Sequence, residues 1–143
     1  MLSLSVVSPV KKILEVNCTQ VVVPTKSGEI TILPKHAPLY SILSQGEAIA
    51  KLENGDSQYI LVSGGFVSVA KDKVILLVDY GAQSDELDEK IILEAKERAE
   101  KALSESKSDS LTKAAQADLL HANLELQFLY RRGKRHNNSE KPH

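Results

Sequence analysis

The chain has 143 residues, 26% of them charged and 42% apolar, with a formal net charge of -1. That balance belongs to a folded globular protein and excludes a disordered chain, a polybasic nucleic-acid binder and a membrane-spanning bundle, since no apolar run approaches the roughly 18 residues a spanning helix needs. The single cysteine, Cys18, excludes an internal disulfide and, beside a valine run, reads as a small buried hydrophobe.

The first twelve residues place their lysines after the apolar positions, so they do not read as a signal peptide. Leu2, Leu4 and Val6 alternate with Ser3 and Ser5, the period-2 pattern of a half-buried strand. Residues 13–16 and the β-branched run 19–23, stopped by Pro24, are the next strands, and a turn at 25–28 leads into a strand at 29–33. Residues 27–46, SGEITILPKHAPLYSILSQG, break this rhythm with two prolines four residues apart and a histidine between them. Proline fixes its own φ and pushes the preceding residue toward extended geometry, so residues 34–38 read as a rigid extended connection whose flanking apolar residues, Ile32, Leu33 and Leu39, are buried.

Past Gly46, strands at 47–52 and 57–62 flank Asn54-Gly55, a pair suited to a type I′ hairpin turn. Gly64-Gly65 reads as a tight strand connection, Phe66 as a core residue of the strand 66–69, and Lys71-Asp72 as the turn into a strand at 74–78. Roughly eight to ten short strands with no helical pattern among them are stable only as packed sheets or a barrel. Residues 1–83 are therefore expected to form an antiparallel β-sandwich.

At Gln83 the period changes from 2 to 3.6. Leu87, Ile91, Ala95 and Ala99 recur every fourth residue, with Ala102 and Leu103 extending the face and Asp85 available as a cap. After the polar segment 104–110, capped by Asp109 or Ser110, a second helix carries Leu111, Ala114, Ala115, Leu119, Ala122, Leu126 and Leu129 and is expected to end near residues 130–133. Residues 84–133 thus read as an antiparallel two-helix hairpin and 134–143 as a disordered tail. Alanine seams bury little area per residue, so the hairpin is expected to be the more easily detached part.

Catalytic chemistry is not visible. The four histidines, His36, His121, His136 and His143, form no metal-ligand spacing, and no nucleophile elbow, phosphate loop or dinucleotide fingerprint occurs. His36 has two readings: a general base, for which no neighbouring acid or nucleophile is evident, or a ring that locks its loop through the backbone. The pattern therefore favours an interaction subunit over an enzyme, with a stand-alone ligand-binding sandwich as the alternative.

Four stretches carry a resemblance to a known family: residues 2–15; the pattern G-E-x-x-x-L-P-x-H-x-P-L at Gly28, Glu29, Leu33, Pro34, His36, Pro38 and Leu39; G-G-F-V-x-V at Gly64, Gly65, Phe66, Val67 and Val69; and A-K-E-R-A-E-x-A-L at residues 95–103. In this order and spacing the chain resembles the epsilon subunits of bacterial F-type ATP synthases, equivalent to the mitochondrial delta subunit, over residues 2–130. The resemblance implies a non-catalytic central-stalk subunit of the F1 sector that couples proton translocation to ATP synthesis. It implies contact with the gamma subunit and the c-ring, and with the alpha and beta subunits when the hairpin extends and inhibits ATP hydrolysis. It also implies peripheral placement on the cytoplasmic face of the bacterial inner membrane, with membrane association only through the complex and no nucleic-acid partner.

Some members of the family bind ATP in the folded hairpin through a motif like I-D-x-x-R-A and arginines of the second helix. Aligned to it, Leu87 and Asp88 take the first two places, Ile91 and Ile92 replace Arg and Ala, and His121 and Glu125 stand where binding members have arginines. Asp88 and Arg98 are the vestigial candidates for that site. With so few cationic donors, weak or absent ATP binding is expected, and no other cofactor and no metal. The basic residues Arg131, Arg132, Lys134 and Arg135 are either a solubilising helix terminus or inhibitory contacts to acidic loops of the beta subunits.

Overall fold

A computed structural model of the chain describes residues 1–140, and the side chains of all of these except Asp85 and residues 132–140. One compact unit, Met1–Asp85, holds eight strands, and a second begins at Glu86. The strands are β1 (Leu2–Val7), β2 (Lys12–Cys18), β3 (Gln20–Thr25), β4 (Gly28–Ile32), β5 (Leu39–Ile42), β6 (Gly46–Lys51), β7 (Ser57–Ala70) and β8 (Lys73–Gln83). They hydrogen-bond in the order β2-β1-β8-β7-β6-β3-β4, with β5 on β7.

The period-2 alternation decides which side chains point inward. Leu2, Leu4 and Val6 of β1, Val21 and Val23 of β3, Ile60, Val62, Val67 and Val69 of β7, and Val74, Leu76 and Val78 of β8 share one apolar cluster with Cys18. Burial in that cluster pushes the Cys18 thiol above its ordinary pKa, so it is a packing residue and a poor nucleophile. One continuous sheet encloses this core because β7 changes partner midway. Its first half, residues 57–62, pairs with β6, and its second half, residues 66–69, pairs with β5. The fold is the expected β-sandwich with its two layers joined through β7 and β8.

Gly64-Gly65 lies at that change of partner, inside a continuous strand, and not between two strands as the sequence suggests. Both glycines have positive φ, 75° and 113°, and a Cβ on Gly65 would fall 1.9 Å from the Leu77 carbonyl oxygen. Only glycine lets β7 bend this sharply while staying paired with β8. One pairing departs from the antiparallel expectation, for β1 runs parallel to β8. The other pairings are antiparallel. Parallel neighbours need a long crossover, and here most of the sandwich intervenes between the two strands.

The turns also differ from expectation. At Asn54-Gly55 only Gly55 has positive φ, 93°, and the loop closes through Gly55 N–H to Leu52 O at 3.0 Å and Leu52 N–H to Asp56 O at 2.8 Å. That is a three-residue loop with a bulge, favoured by the Asn54 side chain, which accepts the Asp56 N–H at 2.9 Å. The primed two-residue turn is Lys71-Asp72, with φ of 49° and 62° and Ala70 opposite Lys73. Residues 34–38 are not fully extended: Pro34 and Lys35 form a turn, with Lys35 at φ 68° and His36 N–H donating to Leu33 O at 3.1 Å. Leu33, expected to be buried, is half exposed because it precedes this turn and leaves the face that buries Ile32.

In the second unit, α1 (Glu89–Glu105) follows a single 3-10 turn, and α2 (Asp109–Glu140) follows a three-residue connection. Asp88, and not Asp85, caps α1, its carboxylate accepting from Lys90 N–H at 2.9 Å. Ser108 serves α2, its hydroxyl accepting the Leu111 N–H at 3.2 Å. The start of α1 at Glu89 turns Ile92 inward, while Ile91 is 60% exposed. Ile92 packs with Ala122, Leu126, Leu87 and Leu129. Leu111 and Ala114, expected on the seam, are exposed, and Ala115 and Ala122 are buried. Helix α2 runs to Glu140, past the expected stop near Gly133; the tail residues 141–143 lie outside the described residues.

Candidate functional site

The outer face of one sandwich layer carries a continuous apolar row. Ile42 of β5 faces Phe66 of β7, Phe66 faces Leu77 of β8, and Leu77 faces Val7 of β1. The next row is Tyr40, Ser68, Ile75 and Ser5. Since Val67, Val69, Leu76 and Val74 point inward, alternation forces Phe66, Leu77 and Ile75 outward. Tyr40 is 67% exposed, Leu77 50%, Ile42 47%, Phe66 41% and Ile75 39%. Phe66 is thus a surface residue and not a core one. Its ring stacks on Tyr40, centroids 5.4 Å apart and planes inclined by 19°. The rows end at β2 on Lys12 and Glu15, which pair at 2.7 Å; the lysine ammonium holds the Glu15 carboxyl below its ordinary pKa. A contiguous apolar patch with a polar rim on a folded unit is the signature of a protein-docking surface.

The residues singled out in the P-x-H-x-P stretch have structural settings. Gly28, at φ 119°, opens β4 opposite Thr25. His36 donates its ring Nδ1–H to Ala37 O at 2.6 Å. Leu33, Pro34 and Pro38 are exposed around it. Asp72 reaches across from the β7–β8 turn to accept the Lys35 N–H at 2.7 Å. No nucleophile or acid stands beside His36 among these contacts.

Between α1 and α2 runs a groove of about 450 Å³ lined by Ala95, Arg98, Ala99 and Ala102 from one helix and Asp118, His121, Ala122 and Glu125 from the other. Here the structure brings Arg98 together with His121 and Glu125, while Asp88 is engaged in capping α1 and does not line the groove. Burial pushes the Glu125 carboxyl above its ordinary pKa. One guanidinium facing two carboxylates is a poor cradle for a polyphosphate, whose affinity comes from charge-assisted donors. Arg131 is exposed on α2, next to Tyr130, whose hydroxyl donates to Glu89 at 2.9 Å. The side chains of Arg132, Lys134 and Arg135 lie outside the described residues. Among the described residues no cluster of metal-ligating side chains occurs, and no helix is long and apolar enough to cross a membrane.

The profile of the family described as ATP synthase, Delta/Epsilon chain, beta-sandwich domain matches residues 1–82. The ATP synthase epsilon chain of Alkalilimnicola ehrlichii is 38% identical over 134 residues, 94% of this chain and 96% of that one. The chain belongs to the delta/epsilon family of ATP synthase chains. The epsilon chain of Acinetobacter baylyi is 40% identical over 114 residues, covering 80% of this chain and 82% of that one. The fold recurs in solved structures at lower identity. One chain of the Euglena gracilis mitochondrial ATP synthase, solved as OSCP/F1/c-ring, matches with a TM-score of 0.57 at 22% identity, covering 86% of this chain and 81% of that one. A chain of the Tetrahymena thermophila mitochondrial ATP synthase central stalk and c-ring matches with a TM-score of 0.51 at 16% identity, covering 90% and 96%. Sequence reasoning places Phe66 in the core; the signal for the outward face is its out-of-phase position, with Ser68, against the buried Val67 and Val69. The strand order that aligns it with Leu77 and Val7 has no such signal.

Proposed function

We propose that the chain is a non-catalytic rotor subunit of the F1 sector of a bacterial ATP synthase, fixed by its sandwich to the central stalk and coupling ion translocation to ATP synthesis. The observation that carries this reading is the row of exposed Ile42, Phe66 and Leu77, continued by half-buried Val7, on a member of the delta/epsilon family. The row is the docking face for the gamma subunit, and the foot of the sandwich meets the c-ring. Membrane association comes through the complex, on the cytoplasmic face of the inner membrane. Adding the protein to F1 stripped of its own epsilon chain tests the assignment: stoichiometric 1:1 binding with no ATPase activity of the isolated protein is expected, and failure to bind overturns it.

The hairpin is the regulatory part. Its seam of Ala99, Ala115 and Ala122 gives little burial per residue, which suits a hairpin that leaves its folded state and extends toward the alpha and beta subunits. In that state Arg131, with Arg132, Lys134 and Arg135, pairs with acidic loops and hinders hydrolysis. Replacing the four by alanine relieves inhibition in the reconstituted enzyme; unchanged inhibition rejects the contact. ATP is bound weakly or not at all, because Asp118 and Glu125 face Arg98 across the groove. Micromolar binding of ATP to the isolated protein contradicts that reading.

A further inference from the structure

Among the described residues three that are not glycine have positive φ, and all three belong to one end of the sandwich: Lys35 at 68°, Lys71 at 49° and Asp72 at 62°. Elsewhere the chain uses glycine for such conformations, at Gly28, Gly55, Gly64 and Gly65. The two turns are one construction. The Asp72 carboxylate accepts the Lys35 N–H at 2.7 Å, the Asp72 carbonyl accepts the Ser3 N–H at 2.9 Å, and Lys73 follows directly, opposite Ser3.

A left-handed conformation disfavours a long side chain, and turns of these kinds ordinarily carry glycine or asparagine at the positions Lys35 and Lys71 hold. Strain of this sort persists where the surroundings over-determine it and the residue is useful. Asp72 supplies the over-determination, turning its carboxylate onto the backbone of the neighbouring turn. What the arrangement displays is charge: Lys35, Lys71 and Lys73 are all exposed, and no ion pair engages their ammonium groups among the described residues. Half-exposed Leu33 opens the turn that carries Lys35, its carbonyl accepting the His36 N–H.

We propose that this lysine tip is a second docking surface, distinct from the apolar row, and that its occupant is an acidic protein surface of the assembled ATP synthase. The chemistry recognised is one or more carboxylates on a partner loop, met by Lys35 and Lys71 at fixed positions, with Leu33 giving an apolar contact at the rim. Charge complementarity of this kind governs encounter and register more than the total area buried. The inference rests on the assignment of the chain to the rotor, and its test separates the two.

The experiment measures binding of the full chain to detergent-solubilised ATP synthase stripped of its own epsilon chain, at low and high salt. The double variant Lys35→Gly, Lys71→Gly relieves the left-handed strain, so its Tm holds or rises. Its affinity at low salt falls by about fivefold, the range of one or two exposed charge pairs, and the difference closes at high salt. Lys35→Arg with Lys71→Arg keeps charge and strain and binds like the parent. Unchanged affinity of the glycine variant overturns the proposal, and so does an arginine variant that binds no better than the glycine one. Binding of the parent chain alone to phosphatidylglycerol vesicles, lost in the glycine variant, overturns the protein occupant in favour of a lipid surface. Failure of the parent chain to bind the stripped enzyme at all overturns the rotor assignment instead.

Discussion

The sandwich and the hairpin are built on opposite packing principles. The sandwich core is mainly leucine, isoleucine and valine of β1, β3, β4, β7 and β8 at essentially zero exposure, completed by Ala48 and Ala50 of β6 and by Ile13 and Cys18 of β2. The hairpin seam is a stripe of alanines with Ile92 and Leu126 at one end and an open groove at the other. Large side chains in a closed core gain both transfer free energy and dispersion contacts, whereas alanines gain little of either. The difference is that the first unit closes a core of large side chains, while the second gains much less burial per residue along its seam.

The sharpest way to break the contrast is at the corner of β7. Gly65→Ala puts a methyl group against the Leu77 carbonyl at φ 113°, and we expect a loss of about 3–4 kcal/mol, read as a collapse of the sheet transition in urea. Retention of the parent Tm would mean that β7 bends elsewhere. Next in size are two truncations made as a pair. Leu76→Ala, in the closed core, costs about 3–4 kcal/mol, while Leu126→Ala, beside the groove, falls nearer 2 kcal/mol. Helical and sheet signals followed separately by hydrogen exchange show Leu126→Ala opening the helices alone. Equal effects on both sets of amides would contradict the weaker hairpin.

The smallest effect is electrostatic. Because burial raises the folded pKa of Glu125, its favourable neutral form is fully present below the unfolded pKa and lost as pH rises through the higher folded value. The hairpin is therefore expected to be most protected from exchange in mild acid and to loosen as pH climbs past the ordinary carboxylate range toward neutrality. Glu125→Gln flattens that profile. A profile unchanged by the substitution would place the titration on another group.

Much of this contrast is legible in the residues. The alternation of Leu2, Leu4 and Val6, or of Val67 and Val69, announces strands with one buried face, and the shift to a 3.6 period after Gln83 announces the helices. What escapes the sequence is non-local. Pairing of β1 with β8 joins residues 70 positions apart, and nothing in either strand specifies it. Asn54-Gly55 has the stronger local propensity for a primed turn, yet that turn forms at Lys71-Asp72, where β7 and β8 pair closely enough to dictate it and Asp72 gains the Lys35 N–H. Asp88 takes the cap expected of Asp85, Ser108 the one expected of Asp109 or Ser110, and Ile92 packs inward where Ile91 is expected. The groove residues Arg98, His121 and Glu125 come together only because the short connection makes the helices antiparallel.

The central claim is that the outward row on the sandwich holds the protein in its complex. Titration of the full chain into F1 stripped of its epsilon chain, comparing the parent with a Phe66→Asp, Leu77→Asp variant, tests it most directly. Both positions are exposed, so the variant keeps the sheet signal and a Tm close to the parent's. The account predicts a loss of affinity of about a hundredfold or more, as for removal of apolar anchors at the centre of an interface. A folded variant that binds as tightly as the parent would contradict it.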